Sequence, residues 1–118
     1  MKIEIPMKVI SEANSHEHWR YRQRRAKTQR YSTSWNLYCE LGDRPVSLLP
    51  CRVTLTRLSP RKLDTDGLVS AFKAVRDGVA DWAGVDDGDE RWDWQYKQEK
   101  SKEYGIRIEI EANQKEHA

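Results

Sequence analysis

Residues 61–87 of this 118-residue chain read RKLDTDGLVSAFKAVRDGVADWAGVDD, and the rest of the fold is best understood outward from this stretch. Its apolar residues recur at i, i+4, i+7, i+11 and i+14, at Leu68, Phe72, Val75, Val79 and Trp82. That spacing places them on one face of an α-helix, so the stretch predicts an amphipathic helix packed against a core. Aspartates stand immediately before and after the predicted helix.

The segments before this helix predict two strands and a second helix. Residues 2–10 form a first strand, in which Pro6 indicates an edge or a bulge. Residues 15–41 lack Gly and Pro and predict a helix that ends at Gly42-Asp43-Arg44-Pro45. Its apolar face is predicted from four residues, Trp19, Ala26, Trp35 and Tyr38. A second strand covers Cys51 to Leu58.

The segment after residue 87 alternates apolar and polar side chains twice, which is the period of a half-buried strand. The first alternation is Trp92, Trp94 and Tyr96, and the second is Ile106, Ile108 and Ile110. We expect a polar hairpin loop over 98–103 to join these strands, and residues 112–118 to form a loose tail. The predicted order β-α-β-α-β-β is a mixed α+β sheet of four strands with two main helices, in a single domain over 1–118.

Composition gives more information about where in the cell the protein is expected than about what it binds. The formal net charge is only +2, and the two cysteines, Cys39 and Cys51, form no CxxC pair. Reduced thiols and a cytoplasmic location are therefore expected. No apolar run reaches transmembrane length, and the start of the chain lacks the apolar core of a signal peptide.

The charges are segregated along the chain. A basic segment holds six cations against the single acid Glu17, namely Arg20, Arg22, Arg24, Arg25, Lys27 and Arg30. Residues 77–93 hold seven acids against Arg91. This segregation fits a basic surface for a polyanion beside an acidic pocket, and equally fits two solvated faces that neutralise each other.

The aspartates around the predicted helix have the spacing of a metal site. Asp64 and Asp66 stand at i and i+2, so on an extended segment they point to one side, and Asp87 lies in a later turn that can fold back to them. Three carboxylates suit Mg²⁺ or Mn²⁺, and the preceding Arg61 and Lys62 suit a phosphate. In the alternative interpretation Asp66 is an ordinary helix N-cap.

The stretch from Arg61 to Asp87 resembles the RusA family of Holliday junction resolvases, which are mainly phage and prophage endodeoxyribonucleases. The family pattern is a basic residue, Asp-x-Asp-Asn-Leu, a helix carrying a lysine, and a Gly-hydrophobic-Asp-Asp turn. Here the pattern reads Arg61, then 64–68, Lys73, and 84–87. A first strand leading into a loop with Asn14 and then into the basic segment is also similar to the family.

The resemblance implies a small homodimer that binds four-way DNA junctions in recombination and repair. By position, Asp64, Asp66 and Asp87 would hold Mg²⁺, with Asp86 beside them. Lys73 would stabilise charge on the phosphoryl oxygens, and the products would be nicks with 5′-phosphate and 3′-hydroxyl ends. The Trp-rich strand or the first helix is expected to supply part of the dimer interface.

Two positions depart from the family pattern. Gly67 stands in place of the asparagine, and Ser70 stands where the family's lysine usually lies. Lys73 lies about one turn further along the same helix, where it is also placed to pair with Asp77 at i+4. The competing hypothesis is therefore a non-catalytic DNA-binding or phage-assembly protein that keeps the fold without the nuclease.

Other patterns are weaker. His16-Glu17-His18 lacks zinc-ligand spacing and is interpreted as solvated side chains. The aromatic rings of 92–96 suit base stacking, but an alternating aromatic strand more often packs into a core.

Overall fold

The computed structural model describes residues 1–12, 16–42 and 50–112. It confirms the mixed α+β class and the four-stranded sheet, and it contains three helices where two were predicted. In chain order the elements are β1 (Lys2–Ile5), α1 (Trp19–Leu41), β2 (Cys51–Ser59), α2 (Thr65–Ala71), α3 (Lys73–Ala83), β3 (Trp92–Lys100) and β4 (Gly105–Ala112).

The sheet has the order β1-β4-β2-β3, so the predicted hairpin between the last two strands is wrong. β3 pairs with β2 in parallel, whereas β4 pairs antiparallel with β2 on the other side and with β1. The physical reason lies in β2, most of whose residues on both faces are buried, including Val53 and Leu55. A strand of this kind takes a central position, so the strands that follow it pair with its two edges.

The helix predicted from residues 68–82 is interrupted at Phe72. α2 ends and α3 begins there, because Phe72 has φ −96° and ψ 2° rather than helical values. The apolar face is nevertheless buried as predicted, at Leu68, Phe72, Val75, Val79 and Trp82. α3 ends at Gly84, whose φ of 73° lies in the left-handed region that favours glycine.

The face of α1 that packs inward differs from the prediction. The buried residues are Gln29, Thr33 and Leu37, whereas Trp19, Trp35 and Tyr38 are about half exposed. The cause is a close crossing with α3, where a Cβ added to Gly78 would lie 2.5 Å from the Arg30 carbonyl oxygen and 2.7 Å from the Thr33 Cβ. Side chains as large as tryptophan do not fit between backbones this close.

The ends of several elements also differ from the prediction. β1 stops at Ile5, before Pro6, which has no N–H to continue a ladder. α1 begins at Trp19 rather than residue 15, and the His18 Nδ1 caps it by accepting from the Arg20 amide at 3.2 Å. Gly42, with φ 82°, ends α1 as expected.

Asn14, the 43–45 turn and most of the predicted tail lie outside the described residues. Over the described ranges, no helix is long and apolar enough to cross a membrane.

Candidate active site and basic surface

One face of β3 anchors both acidic segments. Trp94, Tyr96 and Gln98 alternate along the strand and so point to the same side of the sheet. The Gln98 side chain accepts from the Leu63 amide at 2.8 Å and donates to the Leu63 carbonyl at 2.7 Å, which fixes the residue before Asp64. Because Gln98 and Trp94 lie within four residues of each other, the start of α2 and the Asp87 turn are held by one strand.

Two indole groups hold the backbone of the Asp86-Asp87 turn. The Trp92 Nε1 donates to the Asp86 carbonyl at 2.9 Å, and the Trp94 Nε1 donates to the Asp87 carbonyl at 3.0 Å. The two rings contact each other, with centroids 5.0 Å apart. The aromatic residues of β3 therefore pack within the chain and position an acidic turn, rather than standing free for base stacking.

Arg76 binds Asp87 through both its side chain and its backbone. Its Nε donates to the Asp87 Oδ2 at 3.0 Å, and its Nη2 donates to the Asp87 carbonyl at 3.1 Å. Its Nη1 donates to the Tyr96 hydroxyl at 3.0 Å, and the guanidinium lies 4.8 Å from the Trp94 ring centroid. Nothing in the linear sequence distinguished Arg76, because its role depends on a turn eleven residues away.

Lys73 bridges two carboxylates at the start of α3. Its Nζ lies 2.9 Å from the Asp77 Oδ1 and 3.4 Å from the Asp87 Oδ2. The pairing with Asp77 expected from the i+4 spacing is therefore present, and Lys73 also reaches the predicted third acid. The hydrogen bond to Asp77 raises the pKa of Lys73, against the opposing effect of desolvation, so the lysine is a cation at neutral pH.

The charge on Asp87 reflects these neighbours. Burial acts to raise the pKa of Asp87, but the charges of Lys73 and Arg76, together with their hydrogen bonds, outweigh it and lower the pKa below its ordinary value. Asp87 is thus an ionised carboxylate at neutral pH.

Asp64, rather than Asp66, is the N-cap of α2. The Asp64 Oδ1 accepts from the Gly67 amide at 2.6 Å, and Asp66 lies exposed in the first helical turn. Gly67 is buried, and a Cβ added there would meet the Asp64 Oδ1 at 2.7 Å and the Ser11 Oγ at 3.0 Å. Gly67 therefore lies against neighbours that leave little room for a larger side chain.

The three predicted metal ligands are not assembled into one site. Across residues 1–12, 16–42 and 50–112, no group of three or more His, Cys, Asp or Glu side chains is arranged to hold a metal ion. Asp64 is bound to a backbone amide, and Asp87 is bound to two cations. As the residues stand they do not form a three-carboxylate Mg²⁺ site, and an ion would bind them only if Asp87 left Lys73 and Arg76.

A groove of about 610 Å³ lies between the first half of α1 and the segment from the end of α2 to the start of α3. Ser70, Lys73 and Asp77 line one wall, and the other wall contains cations of α1, Arg22, Lys27 and Arg30. Ser70 therefore faces the same groove as Lys73. The Ser70 hydroxyl donates to the Gly67 carbonyl at 3.1 Å, within α2.

The basic segment divides into neutralised and unpaired cations. Arg25 binds Glu12 at 2.7 Å and Glu17 at 2.9 Å, and Arg30 binds Asp81 at 2.6 Å. The hydrogen bond that Arg30 donates to Asp81, opposed by desolvation, raises the pKa of Arg30. Among the described residues, no salt bridge joins a carboxylate to the four remaining cations, Arg20, Arg22, Arg24 and Lys27.

A buried arginine, Arg57, supports the loop before Asp64. Its Nε donates to the Val9 carbonyl at 3.1 Å and its Nη1 donates to the Arg61 carbonyl at 2.6 Å. Desolvation lowers the pKa of Arg57 from its ordinary value. This anchorage leaves Arg61 and Lys62 exposed at the surface, as a phosphate contact requires.

Comparison with known proteins identifies no relative: no family model, curated protein or solved structure matches this chain. The likeness to RusA resolvases therefore stays a prediction that depends on the 61–87 pattern. The structure holds both acidic segments against β3 through Leu63 and Asp87, brings Lys73 to Asp87, and leaves Asp64 and Asp66 at the start of α2.

Proposed function

We propose that this protein is a Mg²⁺-dependent, structure-specific endodeoxyribonuclease that nicks four-way junctions and related branched DNA. The observation that carries the proposal is the attachment of both acidic segments to one face of β3, through Gln98 to Leu63 and through Trp94 to Asp87. A nuclease site built from separated segments needs such a common support, because catalytic groups must be held within narrow limits.

The cations suit the contact with DNA. Lys73 is exposed and charged beside Asp87, where it is placed to contact a phosphoryl oxygen. Arg20, Arg22, Arg24 and Lys27 have no acidic partner in the described ranges, so they remain available for phosphates. Contacts of this kind carry no sequence information, and we therefore expect binding that depends on branching and weakens steeply with salt.

Binding of a divalent ion is tested separately from cleavage. Ligands that bind only the folded state raise the melting temperature, so titration with Mg²⁺ and Mn²⁺ should stabilise the wild type. Asp66→Asn should abolish the stabilisation, since Asp66 belongs to the proposed ligand set and its exposed side chain forms no salt bridge with another described residue. Asp89→Asn is the matched control, because Asp89 is an aspartate bound to Arg91 outside the set.

The cleavage test uses a synthetic four-way junction and a linear duplex of the same sequence, each with Mg²⁺ or with EDTA. Paired nicks in the junction alone, dependent on Mg²⁺ and absent in Asp66→Asn but present in Asp89→Asn, support the proposal. Tight junction binding without cleavage under Mg²⁺ or Mn²⁺ would reject it.

The second candidate is a non-catalytic DNA-binding or phage-assembly protein. The contacts of Asp87 favour it, because Arg76 and Lys73 occupy the carboxylate that a metal ion would need. Such a protein would bind the junction with the same affinity in EDTA as in Mg²⁺. The ion titration above therefore separates the two candidates before any nuclease assay.

We also propose that the protein is a homodimer joined along β3. Over the described residues, the outer edge of this nine-residue strand has no pairing partner, whereas its inner edge pairs with β2. A second copy would extend the sheet across a two-fold axis, matching the approximate symmetry of a four-way junction. Sedimentation of the wild type at micromolar concentration should report a dimer. A wild-type monomer at micromolar concentration would contradict this.

A further inference from the structure

The outward face of α1 carries cations in its first half and aromatic rings in its second half. The members recur at intervals of three and four residues, which keeps them on one face of the helix. All are exposed, and they lie away from the buried face of α1, with Lys27 also at the edge of the groove. We call this row the α1 stripe, and it consists of Arg20, Arg24, Lys27, Tyr31, Trp35 and Tyr38.

The aromatic half of the α1 stripe is unusually exposed for residues of its size. Tyr31 is 68% exposed, Trp35 is 54% exposed and Tyr38 is 51% exposed. The rings of Trp35 and Tyr38 are already stacked, with centroids 6.1 Å apart and planes 24° from parallel. Large rings left in water on one face indicate a surface that a partner covers.

The cationic half indicates the charge of that partner. Within the described part of the chain, Arg24 and Lys27 form no salt bridge, and the Arg20 guanidinium lies 5.7 Å from the Trp19 ring centroid. The first and last members of the α1 stripe, Arg20 and Tyr38, are eighteen positions apart in the sequence, or about 27 Å along the helix. A partner that follows it must be anionic at one end and present flat apolar groups at the other.

A second copy of the chain fits this surface poorly. Three half-exposed aromatic rings offer on the order of 300–400 Å², well below the roughly 800 Å² per partner of a stable interface. Nucleic acid with unpaired bases fits both halves, because its phosphates attract cations and its bases stack on aromatic rings.

We propose that the α1 stripe binds a single-stranded segment, with phosphates on the cationic half and bases stacked on Tyr31, Trp35 and Tyr38. This inference rests on the proposed function, and it narrows the substrate to branched DNA that carries an unpaired strand at or beside the branch point.

The test measures binding of an oligothymidylate of about 12 nucleotides, a length within known single-strand site sizes, to the full chain in EDTA. Trp35→Ala should weaken binding about tenfold, whereas Trp35→Phe should restore most of the affinity because it restores a ring. Arg24→Ala should lower the slope of log affinity against log salt by about 0.7. Tyr104→Ala, an exposed tyrosine outside α1, should change nothing.

The outcomes separate this inference from the proposed function. If the four-way junction is bound and the single strand is not, or if Trp35→Ala binds the single strand like the wild type, the α1 stripe inference is wrong, and the proposed function is decided by the cleavage test alone. If neither DNA is bound, both are wrong. If Trp35→Ala converts a wild-type dimer to a monomer, a second copy covers the stripe and the inference is likewise overturned.

Discussion

Arg76 and Asp87, eleven residues apart, are joined at two points: Nε to the carboxylate at 3.0 Å and Nη2 to the backbone carbonyl at 3.1 Å. The same guanidinium reaches the Tyr96 hydroxyl on β3. One side chain thus connects a helix, an acidic turn and a strand. The turn that contains the predicted third acid depends on it.

Arg76→Ala should destabilise the protein by about 1–3 kcal/mol, because it removes several partly buried hydrogen bonds, two of them to Asp87. Urea unfolding, monitored by tryptophan fluorescence, measures the loss of stability, since Trp92 and Trp94 pack on this turn. Arg91→Ala is the control, because within the described ranges the exposed Arg91 side chain pairs with Asp89 alone, and its loss should be undetectable. Equal effects of the two variants would contradict the role given to Arg76.

Gly78→Ala should destabilise the protein by about 1–3 kcal/mol, although alanine is the better helix former. The added Cβ would lie 2.5 Å from the Arg30 carbonyl oxygen, and backbone in a packed helix cannot easily move away. Thr28→Ala on the exposed face of α1 is the control and should be neutral or slightly stabilising. Thermal unfolding with a raised melting temperature for Gly78→Ala would show that the helices are not in close contact.

Asp64→Ala should cost about 1 kcal/mol of stability, because the Gly67 amide loses its cap, whereas Asp64→Asn should retain most of it. Denaturation of the two variants measures this difference. A paired measurement of Mg²⁺ stabilisation separates capping from ion binding, since the asparagine keeps the cap but removes the charge. Full stability in Asp64→Ala would be inconsistent with the capping bond.

Lowering the pH should reduce the stability of the protein, partly because Asp87 becomes protonated. Its pKa is below the ordinary 3.8 in the folded state, so the stabilisation is complete above about pH 5 and is lost as pH falls through the folded-state pKa. Asp87→Asn has no such group, and its stability should depend less on pH over that acidic range. Unfolding free energies of both proteins from pH 6 downward give the comparison, and parallel curves would show that Asp87 is not involved.

The two cysteines should differ in reactivity. Burial raises the pKa of the Cys51 thiol to about 11, whereas Cys39 is exposed on α1. At about pH 8, a thiol reagent should therefore modify one cysteine quickly in the native protein and both in denaturant. Cys39→Ser should remove the fast reaction, and a fast reaction that persists in this variant would contradict the burial of Cys51.

The sequence determined the features that depend on local period and backbone chemistry. The apolar spacing from Leu68 to Trp82 requires one buried helical face, and it is buried even though the helix breaks at Phe72. Gly42 ends α1 because it tolerates a positive φ. The alternation at Ile106, Ile108 and Ile110 likewise predicts a strand with one buried face, and the three isoleucines are buried.

Only the tertiary structure decided which elements meet. The burial of one face of an element does not specify which other element covers that face. β4 lies between β1 and β2 rather than beside β3, because β2 is buried on both sides and takes the central position. The close approach at Gly78 turned the aromatic residues of α1 outward, against the prediction from their apolar character. The partners of Asp87 could not be read from the chain, because Arg76 and Trp94 reach it only after helix, turn and strand have packed together.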